Sequence, residues 1–425
     1  MSDLTERLEE LREAGLYREL REVSGPQGSR VLLDGREVLL LCSNNYLGLA
    51  NNPAVREAAA SAAMRWGAGA GASRLISGSM TLHRRLEERL AEFKGTDSAL
   101  LFGSGYLANT GVVSALSRRD EMVCSDELNH ASIIDGCRLS RAETFVYRHA
   151  DTEHLAWGLE RARGRASLIV TDGVFSMDGD IAPLEELAEL AERFDCRLMV
   201  DEAHGTGTIG PGGRGAVAAA GVGDQVDVLV GTLGKSLGSY GAYVCAGREI
   251  RELLVNVARP FIFSTALPPP AVAAAYAALG QLESRPDRIE RLRANAATIR
   301  SALAGEGFPV DEQGTQIVPI VVGEAETASE LCEAALRRGA FAQAIRPPTV
   351  PEGSSRLRLT VMATHREREL RRAAAAIGDA AREVARGVRP AAAPAERGDP
   401  FSGWGTEKLG WEGVTSGEEQ LRRAA

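Results

Sequence analysis

No two cysteines in this chain follow a Cys-x-x-Cys spacing, and the six present (Cys42, Cys124, Cys137, Cys196, Cys245, Cys332) are scattered along its 425 residues. That spacing argues against a disulfide framework and against a thiolate metal site, so no metal is expected. The cysteines read as small buried hydrophobes. No apolar run reaches the length needed to cross a membrane. The opening MSDLTERLEELREAGL lacks the apolar core of a signal peptide, so a cytoplasmic location is expected. Positive charge is also in short supply. With 49 Lys and Arg against 58 Asp and Glu, the net charge of −9 leaves no surplus for a basic face, and neither nucleic acid nor an anionic membrane is an expected partner. Net charge does not describe a single pocket, so this balance leaves room for one basic cleft that takes a phosphorylated ligand. The chain has no internal repeat.

What is present is the composition of a globular protein, 44% hydrophobic and 25% charged, with 45.2 kDa of chain to divide into two or more domains. Leu4, Leu8, Leu11 and Leu16 stand near helical spacing and predict an amphipathic first helix. An arm follows, then a hairpin-like pair, RVLLDG and EVLLLC, turning at Asp34–Gly35. These make up an N-terminal helix and arm over 1–45. From 46 to 285, helical stretches alternate with short apolar runs: SALLF, EMVCS, ETFVY, ASLIVT, RLMVD, VDVLVG and GAYVCAG. Alternation of this kind predicts an α/β domain on a mostly parallel sheet, with ligands collecting at the C-terminal strand ends. TLHRRLEERLAEFKG is the clearest helix and ends on Gly95, a C-cap residue. A smaller α+β domain is expected over 286–388, with strands IVPIVVG and SSRLRLTV. A disordered tail is expected over 389–425, although Trp404 and Trp411 within it leave docking on the body or on a partner as a second reading.

The chemistry-bearing residues come in a fixed order. FGSGYLAN is a loop entering a helix, whose first N–H groups suit a phosphate. NHASIIDG places His130 between a strand and a helix, as a flat ring for stacking or as a local helix-start residue. GVFSMDGD follows. VDEAHGTG puts Asp201 at a strand end, where a buried carboxylate needs a cation or strong donors. A protonated pyridine nitrogen would serve, and so would a structural capping role. His204, three residues on, reads equally as a core histidine. Lys235 sits in VGTLGKSLGSYG, a small-residue loop permissive to close approach by a bound group. Each signal alone is weak; their succession is not.

In that succession, together with SNNYLGL, GASRLISG and IRPPTVPEGSSRLRLT, the chain resembles the α-oxoamine synthases from about residue 3 to about residue 388. These are enzymes of the pyridoxal 5′-phosphate (PLP)-dependent transferase fold (fold type I, aspartate aminotransferase-like), which join an amino acid to an acyl thioester and release carbon dioxide. The resemblance implies PLP held covalently by Lys235, which would also move the substrate's α-proton. Asp201 would pair with the ring nitrogen, His204 with the ring's phenolic oxygen, and His130 would stack on the ring. Ser176 would bond near the phenolic oxygen. Gly105, Tyr106 and Thr232 would contact the cofactor. Ser264 and Thr265 would complete its phosphate site across the interface of a homodimer. On the substrate side the resemblance implies Arg358 on the amino acid's carboxylate with Asn44 and His130 beside it, and Arg18 and Thr349 on the acyl thioester. In its IRPPTVP segment the chain resembles the family members that use L-alanine and a pimeloyl group, which implies those substrates, the acyl group carried on coenzyme A or a carrier protein. Glycine-using relatives such as 2-amino-3-ketobutyrate ligase, and a transaminase of the same fold, remain alternatives. Asp172 stands where relatives commonly have glutamate, and Asn45 where they often have aspartate.

Overall fold

A computed structural model describes residues 2–311 and 314–385; the expectations for the tail, Trp404 and Trp411 included, lie outside those residues. Seven strands form the central sheet, in the order Ser98–Phe102, Ala242–Ala246, Val228–Thr232, Arg197–Asp201, Ala166–Asp172, Met122–Asp126, Glu143–Tyr147. Only Ala242–Ala246 runs against the rest. The inner strands are buried along nearly their whole length, because helices cover both faces. Glu143–Tyr147, at one edge of the sheet, is the most exposed strand. The result is an α/β arrangement, a mostly parallel sheet with helices on both faces.

The helix Thr81–Lys94 stops at Gly95, whose φ of 74° is the left-handed cap. The hairpin of Arg30–Leu33 and Arg36–Leu40 turns at Asp34 and Gly35, with φ of 49° and 78°. Its strand Arg36–Leu40 then pairs in parallel with Ala340–Phe341, so the N-terminal arm is sewn into the C-terminal part of the chain. There, Ile317–Gly323, Ser355–Thr360 and Gln343–Ile345 make a three-stranded antiparallel sheet. The first helix, Ser2–Glu13, stops before Leu16, and its stripe of Leu4, Leu8 and Leu11 faces solvent in the single chain. Amphipathic spacing predicts a helix, but it does not say whether this chain supplies the surface the stripe packs on. Among the described residues no helix is long and apolar enough to cross a membrane, and no group of three or more His, Cys, Asp or Glu could hold a metal ion. All six cysteines are free.

Candidate active site

Five parallel strands of the central sheet end on one side, and the residues singled out above sit in the turns that leave them. Phe102 leads to Gly105, Asp126 to His130, Asp172 to Ser176, Asp201 to His204, and Thr232 to Lys235. Two bonded paths are built there.

The first begins at Lys235, whose Nζ lies 2.8 Å from His204 Nε2. His204 Nδ1 is 2.6 Å from the Tyr46 hydroxyl, which in turn donates to Asn44 Oδ1 at 3.0 Å. Arg358 reaches the same Asn44 oxygen with Nη1 at 3.4 Å. A guanidinium only donates, so that atom is the amide oxygen. Tyr46 has one hydrogen and spends it on Asn44; it therefore accepts from His204 Nδ1–H, leaving Nε2 to accept from Lys235. Burial, reinforced by Lys235, Arg358 and His130, holds the His204 ring well below the usual imidazole range and so neutral. Burial also pushes the Lys235 amine down to about 8, against the pull of Asp201 and Asp172 and with help from Arg358. Arg358 Nε donates to the carbonyl of Ser176, and Gln316 Nε2 donates to that of His204 at 2.9 Å.

The second path holds Asp201, which is 4% exposed. Its Oδ2 accepts from Asn109 Nδ2 at 2.6 Å and its Oδ1 from the Ala203 N–H at 2.8 Å. Asn109 also donates to Ser132 Oγ at 2.8 Å, which lies 2.7 Å from His130 Nδ1. His130 caps the helix Ala131–Ser140, and its N–H donates to Asp172 Oδ2 at 2.8 Å while its ring stays exposed. Asp172 is buried beside Asp201 on the neighbouring strand; burial first, and that second carboxylate next, raise it well above the carboxylate range. The aspartate at this position thus seats His130 by its backbone. Asn45 serves its own turn, with Oδ1 accepting from the Ala50 N–H at 3.1 Å.

The helix Gly105–Leu116 starts beside these paths, and its Asn109 is the residue that bonds Asp201. Ser104 caps that helix through the Leu107 N–H at 3.2 Å, and the N–H groups of Gly105 and Tyr106 have no protein acceptor among the described residues. A Cβ built on Gly105 would meet nothing within 4 Å. Thr232 Oγ donates to the Gly241 carbonyl at 3.1 Å and accepts from the Gly234 N–H at 3.1 Å, which shapes the lysine loop. A buried anion at a strand end, an amine near neutrality, an exposed flat ring and an open helix start are together the donor set that PLP needs, and the residues fit it.

Other expected residues do not join this network in the single chain. Tyr106 bonds Asp135, and Arg18 lies exposed in the arm. Thr349 is exposed in the turn that follows Arg346. Ser264 and Thr265 line a small recess with Arg74, His83 and Gly103. Three residues that complete the network were not foreseen: Tyr46, Asn109 and Gln316. Tyr46 and Asn109 lie inside quoted motifs, SNNYLGL and FGSGYLAN. Gln316 lies in no motif, and nothing in the sequence marks it.

Residues 36–377 match the family Aminotransferase class I and II. The 8-amino-7-oxononanoate synthase of Geobacter sulfurreducens is 54% identical over 380 residues, covering 89% of this chain and 97% of that protein. The one from Anaeromyxobacter dehalogenans is 55% identical over 358 residues, covering 84% and 90%. The chain belongs to this family, in its α-oxoamine synthase branch. Among solved structures, a serine palmitoyltransferase from S. paucimobilis with bound PLP–myriocin aligns at a TM-score of 0.86 and 33% identity, over 90% of this chain and 98% of that one. An 8-amino-7-oxononanoate synthase from Francisella tularensis aligns at 0.70 and 28%, over 80% and 97%. The chain is a PLP-dependent acyltransferase.

Proposed function

We propose that this enzyme condenses L-alanine with a pimeloyl thioester to give 8-amino-7-oxononanoate, carbon dioxide and the free thiol. The observation that carries the proposal is the unbroken path from Lys235 through His204, Tyr46 and Asn44 to Arg358. It joins an amine able to move a proton near neutral pH to a guanidinium able to hold a carboxylate. The names of the relatives at 54% and 55% identity support the choice of substrates.

Bound PLP supplies an electrophilic carbon for the amino acid's nitrogen and a ring that takes up the electron pair left at Cα. Asp201, fixed by Asn109 and the Ala203 N–H, is the anion for the ring nitrogen, and His130 offers its exposed ring for stacking. Ser176 and His204 serve the phenolic side. The open N–H groups of Gly105 and Tyr106, with Thr232, hold the phosphate side. Arg358, beside Asn44, grips the alanine carboxylate. Lys235 Nζ takes the α-proton and returns one to the same carbon at the end. Between those transfers the Cα–acyl bond forms, the C–S bond breaks to release the thiol, and the carboxylate leaves as carbon dioxide. Arg18 and Thr349 serve the thioester. Arg346 supports that placement, since it donates to the carbonyls of Gly15 and Tyr17 and so ties the arm beside the Thr349 turn. Ser264 and Thr265 act across a homodimer interface. In support, the two segments joined by the Ser73–Thr265 bridge carry the exposed apolar side chains Leu75, Ile76 and Phe263. Six free cysteines suit the reducing cytoplasm.

The test is thiol release by PLP-loaded enzyme over alanine, glycine and serine against pimeloyl-, acetyl- and succinyl-coenzyme A, repeated with a pimeloyl carrier protein. Release confined to alanine with a pimeloyl donor is expected. Release with glycine and a short donor would overturn the substrates while keeping the chemistry.

A further inference from the structure

The segment that carries Ser176 is a tight hairpin. Val174 bridges Ile181, the Phe175 N–H donates to the Asp180 carbonyl at 3.0 Å, and the Ala182 N–H to the Gly173 carbonyl at 3.2 Å. One side of it is gripped by the C-terminal part of the chain. Arg358 bonds the Ser176 carbonyl, Arg356 pairs with Asp178, and Thr315 Oγ donates to the Gly179 carbonyl at 2.8 Å. Arg356 and Arg358 are two apart on one strand and so point the same way. The hairpin is therefore the part of the large sheet's rim against which Arg358 is set.

A single histidine side chain tethers its other side. His149 Nε2 lies 2.9 Å from Asp180 Oδ2, and Nδ1 lies 3.1 Å from Asp126 Oδ1. The ring stands edge-on to Phe175, also in the hairpin, with centroids 4.4 Å apart. Asp126 is 2% exposed at the end of a central strand, anchored by the N–H groups of Leu128 and Ala150 at 2.9 Å each. Carboxylate oxygens accept and do not donate, so an imidazole with one on each nitrogen must carry both hydrogens. Its hydrogen bonds to Asp126 and then to Asp180 accordingly push His149 up to about 10. It is a cation with two fixed directions, linking the end of a central strand to the hairpin. No step of the reaction uses it.

We propose that His149 is a positioning residue for the amino acid's carboxylate: through Asp180 it fixes the hairpin whose Ser176 carbonyl holds Arg358 in place. The inference rests on the reading of Arg358 as the carboxylate-binding residue. Loosening the tether would let Arg358 swing with the hairpin, weakening the grip on alanine while leaving Lys235, His204 and Asp201 where they are.

The experiment compares PLP-loaded wild type with His149→Gln, Asp180→Asn and the double variant. Alanine affinity is read from the change in cofactor absorbance, and KM and kcat from thiol release. Hydrogen exchange of 173–182 is followed in the cofactor-free protein. The expected result is alanine binding weakened on the order of tenfold, the scale of couplings carried through neighbouring packed groups. KM for the thioester and kcat should stay within about twofold, and exchange in the hairpin should be faster. The double variant should be no worse than the worse single one, because both changes cut the same link. His149→Arg, which keeps a cation with divergent donors, should recover most of the affinity. Asp180 is partly exposed, so its variant keeps the test alive if His149→Gln does not fold. A fall in kcat with alanine binding unchanged, or equal losses for alanine and thioester, would overturn the proposal. A wild type that responds to a different amino acid would instead indict the substrate reading, and the same comparison would be made with that acid.

Discussion

Lys235 is the residue where burial decides chemistry. Its amine falls from an ordinary 10.5 to about 8 because the folded chain strips it of water. Between those two values the unfolded chain binds the extra proton, so this lysine's contribution to stability improves as pH rises through the window and is least favourable below 8. In cofactor-free protein, borohydride-trappable attachment of PLP should rise with pH to a midpoint near 8; a midpoint near 10.5 would mean that the amine is not desolvated. Tyr46 makes the complementary prediction. It is fully buried, and among the described residues its hydroxyl is the only acceptor given to His204 Nδ1–H. Tyr46→Phe should cost about 1–3 kcal/mol in denaturant unfolding, the penalty for an unpaired buried donor, and a change below about 0.5 kcal/mol would show that water replaces the hydroxyl freely.

At the scale of elements, the strands and the order of the turns were readable because each obeys one local rule. Buried parallel strands read as apolar runs, the helix Thr81–Lys94 ends on its glycine cap, and Asp201 ends a strand while Lys235 and His130 follow shortly after theirs. Less readable was the reason for the glycines in the lysine loop. They were expected to admit a bound group, yet Gly238 is packed against the protein itself. It has a φ of +58°, and a Cβ there would lie 2.2 Å from the Ala50 nitrogen and 2.5 Å from the Leu49 carbonyl carbon. Gly238→Ala should therefore destabilise by about 3 kcal/mol or more, seen as a lower melting temperature even without cofactor. An unchanged melting temperature would restore the cofactor-access reading. That partner comes from residues almost two hundred positions upstream, and no local pattern encodes it. Gln316 escaped notice for the same reason, since its bond to the His204 carbonyl exists only once two distant segments have packed. Tyr46 was hidden differently, inside a recognised motif where a tyrosine passes for core.

For the whole molecule, the single chain leaves work unfinished. Among the described residues Leu4, Leu8 and Leu11 of Ser2–Glu13 are left uncovered, and Leu75, Ile76 and Phe263 are 50%, 80% and 70% exposed in the segments joined by the bridge at Thr265. A second copy would cover such a patch and bring Ser264 and Thr265 to its neighbour's cofactor. Ile76→Asp should therefore shift the protein toward monomer in sedimentation and weaken PLP retention at least about tenfold, as expected when a charge is forced into an apolar interface. A monomeric wild type that holds PLP fully would contradict this. Beyond assembly, one chemical event defines the enzyme: alanine's carboxyl carbon departs as its α-carbon is acylated. L-[1-13C]alanine and pimeloyl-coenzyme A, incubated with the PLP-loaded enzyme, should yield labelled carbon dioxide, free thiol and unlabelled aminoketone in equal amounts, and Lys235→Ala should yield none of the three. Alanine converted to labelled pyruvate, with its nitrogen passed to a keto acid and no thiol set free, would contradict the account outright.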